Sequence, residues 1–160
     1  MNGSEGVLHI EDVLEKDGVY VSTTVGKSMY PLFKNRRDTV IITATNGKRL
    51  KKYDIPLYRR GSDYVLHRIV KVLDDSYVIL GDNCERKEYG ITDKQIIGYV
   101  TGMYRRNKYV SPDGKLYRAY VVFWCSIYPV RRLFMIVKRK TLGLMRRVYR
   151  LFFKRRRKDK

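Results

Sequence analysis

Three short segments of the sequence contain side chains that together could carry out a nucleophilic attack on a carbonyl group. Ser28 lies between Gly26 and Pro31, in a tight segment where backbone N–H groups can point at a substrate carbonyl. A serine hydroxyl is a weak nucleophile and needs a neighbouring base. The sequence contains two histidines, so a histidine base must be His9 or His67.

His67 is the better candidate for this base. It lies late in an apolar run, whereas His9 lies in an amphipathic segment among surface carboxylates. A carboxylate completes such a pair because it fixes the tautomer of the imidazole and stabilises the imidazolium ion. Asp82, in a Gly-Asp-Asn turn, and Glu88, six residues later, could each supply the carboxylate.

The order and spacing of these motifs resemble the signal peptidase I superfamily. Ser-Met-x-Pro is followed by His-Arg-Ile-Val and then by Gly-Asp-Asn, in a matching stretch from about Val19 to Thr101. The sequence looks like the branch with a Ser–His pair, found in the endoplasmic-reticulum enzyme and in archaeal and sporulation-type bacterial enzymes. The protease domain of the self-cleaving SOS repressors is related to this superfamily.

The resemblance implies a serine endopeptidase on a curled, signal-peptidase-like β-barrel or sheet. Ser28 would attack the scissile carbonyl, and its backbone N–H would donate to the oxyanion. His67 would take the proton of Ser28 and later donate it to the leaving amine. The substrate would be a leader or signal-like peptide cleaved after small side chains, with no cofactor and no metal ion.

The family's third catalytic residue is an aspartate, and Glu88 stands at the corresponding place in this sequence. Three alternatives follow from this departure. The longer side chain of Glu88 reaches His67, or Asp82 acts instead, or the enzyme works as a Ser–His dyad.

Short strands separated by turns must position these residues. Segments rich in β-branched and apolar residues, which are typical of strands, recur along the first hundred residues at 19–25, 39–43, 55–58, 64–70, 77–80 and 96–100. Asn46-Gly47 is a strong turn signal, and a polar loop follows Asn83. Residues 7–15 have the spacing of a short amphipathic helix. The pattern predicts a mainly β protein with a barrel or curled sheet.

The net charge of +19 is concentrated near the C-terminus. Residues 1–103 contain 16 basic and 14 acidic side chains, whereas residues 104–160 contain 19 basic and 2 acidic ones. Apolar residues in this second part recur at helical spacing beside a row of arginines, at Leu133, Val137, Leu144, Val148 and Leu151. The sequence predicts a protease core over residues 1–103 and a basic amphipathic helical tail over residues 104–160.

The tail is expected to bind an anionic membrane surface through residues 119–157. Its apolar run over 119–130 has 12 residues, which is shorter than the roughly 20 that span a bilayer. Members of the family normally carry a transmembrane helix before the serine, and the 27 residues before Ser28 contain no apolar span. Because positive charge remains on the cytoplasmic side, we expect a membrane-associated bacterial protein at the cytoplasmic face.

A different class of function also fits part of the sequence. A catalytically silent or self-processing relative could bind peptide or nucleic acid through the basic tail. Nucleic acid is the less favoured partner, because a solvated arm has no use for the apolar stripe. Cys84 and Cys125 lack CxxC spacing and predict free thiols rather than a zinc site.

Overall fold

The structure is a computed structural model that describes residues 10–155, with the backbone alone for Val148 and for 151–155. The chain forms two compact units, which divide between Cys125 and Ser126. Its elements in chain order are α1 (Ile10–Asp17), β1 (Val19–Thr23), β2 (Thr39–Ala44), β3 (Pro56–Arg60), β4 (Asp63–Leu66), β5 (Arg68–Val72), β6 (Tyr77–Leu80), β7 (Glu88–Ile91), a 3-10 turn (Asp93–Gln95), β8 (Ile96–Arg105), β9 (Lys108–Val110), α2 (Lys115–Ser126) and α3 (Tyr128–Arg155).

The first unit is mainly β, as the sequence predicted. Its larger sheet has the order β1-β2-β8-β3-β4, with β9 added beside β8, and it curls into a half-barrel. The smaller sheet has the order β5-β6-β7. All the paired strands are antiparallel, which short turns such as the one at Gly61-Ser62 between β3 and β4 allow.

The predicted strand over 64–70 is in fact two strands. β4 ends at Leu66 and pairs with β3 in the larger sheet, whereas β5 begins at Arg68 and pairs with β6 in the smaller one. His67 is the single residue between them. The polar loop predicted after Asn83 likewise contains a strand, β7, which begins at Glu88. Local residue patterns could not predict either difference, because they do not specify which sheet a segment pairs with.

Helix α2 belongs to the core of the first unit. Tyr117 and Val121 are buried in one hydrophobic cluster with residues of α1, β2, β3 and β8. Strand β8 also runs past residue 103 to Arg105. The compact units therefore divide at Cys125, whereas the sequence placed the boundary after residue 103, because the apolar face of α2 packs on the sheet.

Helix α3 covers 28 residues of the second unit. Pro129 is its second residue, a position where the missing N–H of proline is tolerated, so the proline begins this helix instead of interrupting one. Among the described residues no single helix is long and apolar enough to cross a membrane, although α2 and α3 meet that criterion when they are taken together as a broken pair. Val7 and His9 of the N-terminal segment lie outside the described residues. So do residues 156–157, the end of the predicted membrane segment.

Candidate active site

A cavity of about 470 Å³ lies along the two edges of the curled sheet. Its walls include Ser22 and Thr23 of β1 and Tyr64 and Leu66 of β4, the first and last strands of the sheet. Within the described residues each of these strands pairs with a neighbour on one side only. An extended peptide in this cavity would therefore meet free backbone donors and acceptors on both walls.

Ser28 reaches this cavity from the turn that follows β1. The turn is fixed from several sides: the Gly26 N–H donates to the Asn35 side chain at 2.8 Å, and the Asn83 N–H donates to the Ser28 carbonyl at 2.7 Å. Gly26 has a φ of 99°, a value that favours glycine. Within residues 10–155 neither the hydroxyl nor the backbone N–H of Ser28 has a hydrogen-bond partner, which leaves both for a substrate.

Gly81 brings the serine turn and the histidine together. A Cβ atom at this position would lie 2.9 Å from His67 Nε2, 2.9 Å from the Ser28 carbonyl oxygen and 2.5 Å from Cys84 Sγ. No side chain fits in that space. The first residue of the Gly-Asp-Asn turn is thus a glycine because two loops from distant parts of the chain converge on it.

His67 is held through its Nδ1 atom. Glu88 Oε1 lies 3.0 Å from Nδ1, and the hydroxyl of the fully buried Tyr58 lies 3.1 Å from the same atom. If Nδ1 carries the proton and donates it to Glu88, the Tyr58 hydroxyl must donate elsewhere, and Glu88 is within its reach. In this tautomer Nε2 is unprotonated, as a general base requires, and His67 and Ser28 line the same cavity.

The electrostatic surroundings keep the His67 ring neutral. Burial lowers the pKa of His67 below its ordinary value, and the nearby charge of Arg60 acts in the same direction. The charge and hydrogen bond of Glu88 oppose this shift without cancelling it. Arg60 also pairs with Glu88, with 3.3 Å between Nη1 and Oε1, so one carboxylate contacts both the guanidinium and the neutral imidazole. A neutral imidazole that becomes positive only in the transition state is suited to general-base catalysis.

Asp82 is placed in a different interaction. Its two carboxylate oxygens accept hydrogen bonds from Arg68 Nε and Nη2 at 2.8 and 2.7 Å. Both side chains are almost completely buried, with exposures of 3% for Asp82 and 1% for Arg68. Of the alternatives that the sequence left open, the structure brings Glu88 to His67 and pairs Asp82 with the arginine that follows His67.

Cys84 is a residue that the sequence analysis did not assign to the site. Its Sγ atom lies 3.9 Å from His67 Nε2 and lines the same cavity. Burial raises the pKa of the Cys84 thiol, so the group is protonated at neutral pH and is a poor nucleophile. Within the described residues neither Cys84 nor Cys125 forms a disulfide.

Two further contributors, Tyr58 and Arg60, were also missed. Tyr58 and Arg60 lie two residues apart on β3, and the register of the hairpin around Gly61 places Tyr58 opposite Val65, two residues before His67. The sequence feature that could have pointed to them is Gly61-Ser62, a pair that is typical of turns, between β3 and β4. Their contacts with Glu88 depend on the pairing of β7 with β6, which no local pattern specifies.

The described part of the chain contains no group of three or more His, Cys, Asp or Glu side chains that could hold a metal ion. The arrangement contains a hydroxyl, a neutral imidazole, a carboxylate that contacts the imidazole and a backbone N–H without a partner among the described residues, which are groups that an acyl-transfer site uses. No protein-family model matches the chain, and no curated protein is detectably similar to it in sequence. The relationship to signal peptidase I thus remains a prediction from the motifs.

Proposed function

We propose that the chain is a serine endopeptidase of signal-peptidase type, with Ser28 as the nucleophile, His67 as the base and Glu88 as the carboxylate that supports it. One observation carries the proposal: Ser28 and His67, 39 positions apart in the sequence, line one cavity, and Glu88, 21 positions after His67, contacts the imidazole with its Oε1 3.0 Å from Nδ1. Asp82 has a structural role in this proposal, because its carboxylate is engaged by Arg68.

The proposed reaction proceeds through an acyl-enzyme. The Ser28 hydroxyl attacks the scissile carbonyl carbon while its proton passes to His67 Nε2, and the backbone N–H of Ser28 donates to the oxyanion. His67 returns that proton to the leaving amine as the peptide bond breaks. A water molecule then attacks the ester, its proton passes through His67 to Ser28, and the new carboxyl terminus leaves. Glu88 stabilises the imidazolium ion in both steps.

The substrate in this proposal is an extended, leader-like peptide that is cut after a small side chain. The two free sheet edges, β1 and β4, offer main-chain hydrogen bonds to an extended chain but not to a helix. The cavity floor between them is apolar, with Met29, Phe33 and Leu57 among its residues. An apolar, unfolded segment such as a leader therefore suits the site better than a folded polar surface.

The role of Glu88 is tested with Glu88→Gln in the full chain, by following cleavage of leader-like peptides with mass spectrometry across a range of pH. We expect kcat to fall roughly 10²- to 10⁴-fold, because the imidazolium loses its carboxylate. The pKa of His67 should fall further without the negative charge. Because the base acts when neutral, the rise in activity with increasing pH should move to lower pH.

Glu15→Gln is the matched control for this variant, because Glu15 is an exposed glutamate of α1. It should retain the wild-type rate and pH profile. An unchanged kcat in Glu88→Gln would refute the role of Glu88 and leave the alternatives of Asp82 or a dyad.

We also propose that α3 is a basic amphipathic helix that holds the enzyme at an anionic membrane surface. The helix contains ten Arg and Lys residues and no Asp or Glu. Its large apolar side chains are exposed, at Val130, Leu133, Phe134, Val137, Leu142, Leu144, Met145 and Tyr149. Apolar groups beside excess positive charge suit an anionic bilayer, whereas nucleic acid needs only the charge. Positive charge also favours the cytoplasmic face.

Co-sedimentation with vesicles of anionic phospholipid tests this second proposal, with a duplex DNA gel shift at the same salt concentration as the comparison. We expect Leu133→Gln with Phe134→Gln to weaken vesicle binding at least tenfold, because two apolar side chains no longer enter the interface. Val72→Gln, which changes an exposed apolar residue of β5, is the control and should bind like the wild type. Tight DNA binding without vesicle binding would overturn the proposal in favour of a nucleic-acid partner.

A further inference from the structure

Helix α2 contacts the Gly-Asp-Asn turn, which is hydrogen-bonded to the turn of Ser28, although α2 is far from Ser28 in sequence. Trp124 Nε1 donates a hydrogen bond to the carbonyl oxygen of Asp82 at 3.1 Å. The N–H of Asn83 donates to the carbonyl oxygen of Ser28 at 2.7 Å. The Asp82 carbonyl and the Asn83 N–H belong to one peptide group, so a single peptide plane links α2 to the turn of Ser28.

This link is rigid because a peptide group is planar and its C=O and N–H point in opposite directions. A donor that fixes the direction of the carbonyl also fixes the direction of the N–H on the other side. The Asn83 side chain adds a second connection, since its Nδ2 donates to the carbonyl of Lys27 at 3.1 Å. The orientation of the serine turn thus depends on where α2 holds the Asp82–Asn83 peptide.

A parallel connection leads from α2 to the base. The Tyr117 hydroxyl accepts a hydrogen bond from Arg68 Nη1 at 2.9 Å, and the Arg68 guanidinium lies 5.9 Å from the centre of the Tyr117 ring. Arg68 directly follows His67 and is itself paired with Asp82. The Tyr117 hydroxyl therefore contacts the arginine of the buried Arg68–Asp82 ion pair, which joins the histidine segment to the Gly-Asp-Asn turn.

We propose that Trp124 and Tyr117 are positioning residues for Ser28 and His67, so that α2 is a structural part of the catalytic site. The inference rests on the proposed function for its catalytic consequence, but the physical link between α2 and the Ser28 turn is independent of it. Neither residue touches the reacting atoms. Trp124 acts through the Asp82–Asn83 peptide group, which is hydrogen-bonded to Ser28. Tyr117 acts through Arg68, which follows His67 in the sequence.

The test uses the full chain with Trp124→Phe, which keeps an aromatic ring and removes the N–H donor. Two quantities are measured: hydrogen exchange of the Asn83 amide, and the kcat and KM of peptide cleavage. We expect Asn83 exchange to accelerate about tenfold and kcat to fall about tenfold, with little change in KM, because the substrate cavity lies along β1 and β4. Tyr117→Phe removes only the hydroxyl and should lower kcat without accelerating exchange as strongly.

Leu116→Ala is the matched control on the same helix, because Leu116 is 88% exposed. It should leave exchange, kcat and KM unchanged. Wild-type exchange and kcat in Trp124→Phe, or faster exchange with an unchanged kcat, would overturn the proposal while Ser28-dependent cleavage still stood. If the wild-type chain cleaved no peptide, the proposed function would fail, and the exchange of Asn83 would still decide whether α2 holds the turn.

Discussion

Ser28→Ala is expected to abolish peptide cleavage by the full chain, with a loss of roughly 10⁴-fold or more, while the protein remains folded. The loss follows because the Ser28 hydroxyl forms the acyl-enzyme in the proposed reaction. Folding is preserved because the part of Ser28 that contributes to the turn is its carbonyl oxygen, which accepts from Asn83 and is unchanged by the substitution. Mass spectrometry of peptide products and thermal unfolding of the purified variant measure the two effects.

Two variants make this experiment discriminating. Ser62→Ala changes an exposed serine of the β3–β4 turn and should retain full activity. Cys84→Ala removes the thiol that lies 3.9 Å from His67 Nε2, and it should retain most of the activity because burial keeps that thiol protonated. If Cys84→Ala were inactive and Ser28→Ala active, the nucleophile would be a thiol and the proposed mechanism would be wrong.

Asp82→Asn is expected to destabilise the fold strongly, because it breaks a buried ion pair. It leaves the Arg68 guanidinium, which is 1% exposed, without its counter-charge in the interior. Breaking a buried pair in this way costs about 3–5 kcal/mol of the free energy of unfolding. For a chain of this size that corresponds to a decrease in Tm of roughly 10 °C. Urea unfolding of the full chain measures it.

The control for Asp82→Asn is an aspartate of the same chemistry at the surface. Asp113 pairs with Arg118 at 3.0 Å, but the two side chains are 88% and 67% exposed, so Asp113→Asn should leave the unfolding curve unchanged. At a temperature where Asp82→Asn is folded, it should retain more activity than Glu88→Gln. The reverse order would identify Asp82, and not Glu88, as the catalytic carboxylate.

The location of α2 changes what the C-terminal part of this protein contributes. A sequence with +17 of its +19 charges after residue 103 suggests a core and a separate basic tail. The structure instead divides the chain after Cys125, and α2 packs Tyr117 and Val121 into the core. Residues 115–125 are therefore part of the catalytic unit in our proposal, and the membrane-binding role is confined to α3.

Much of the local structure followed from residue patterns. The strands over 39–43, 77–80 and 96–100 were predicted from β-branched residues. The ends of the first two moved by at most one residue, whereas β8 begins at Ile96 and continues five residues further than predicted, to Arg105. Helix α1 was predicted from the spacing of its apolar residues, and the turn at Asn46-Gly47 from the Asn-Gly pair itself. These features could be predicted because the spacing of apolar side chains and the backbone preference of each residue type depend only on nearby residues. The run over 64–70 looked equally clear, yet it changes sheets at His67.

The sequence alone determined which residues are candidates for catalysis. They are one serine in a tight turn, one histidine in an apolar run, and two carboxylates after it. It could not decide between Asp82 and Glu88, because both follow the same strand and both suit the role. Only the tertiary structure separated them, by pairing β7 with β6 so that Glu88 reaches His67 Nδ1, and by burying Asp82 against Arg68. The physical reason is that charge and hydrogen-bonding capacity belong to a residue, whereas its partner is set by strand pairing and packing between segments distant in the chain.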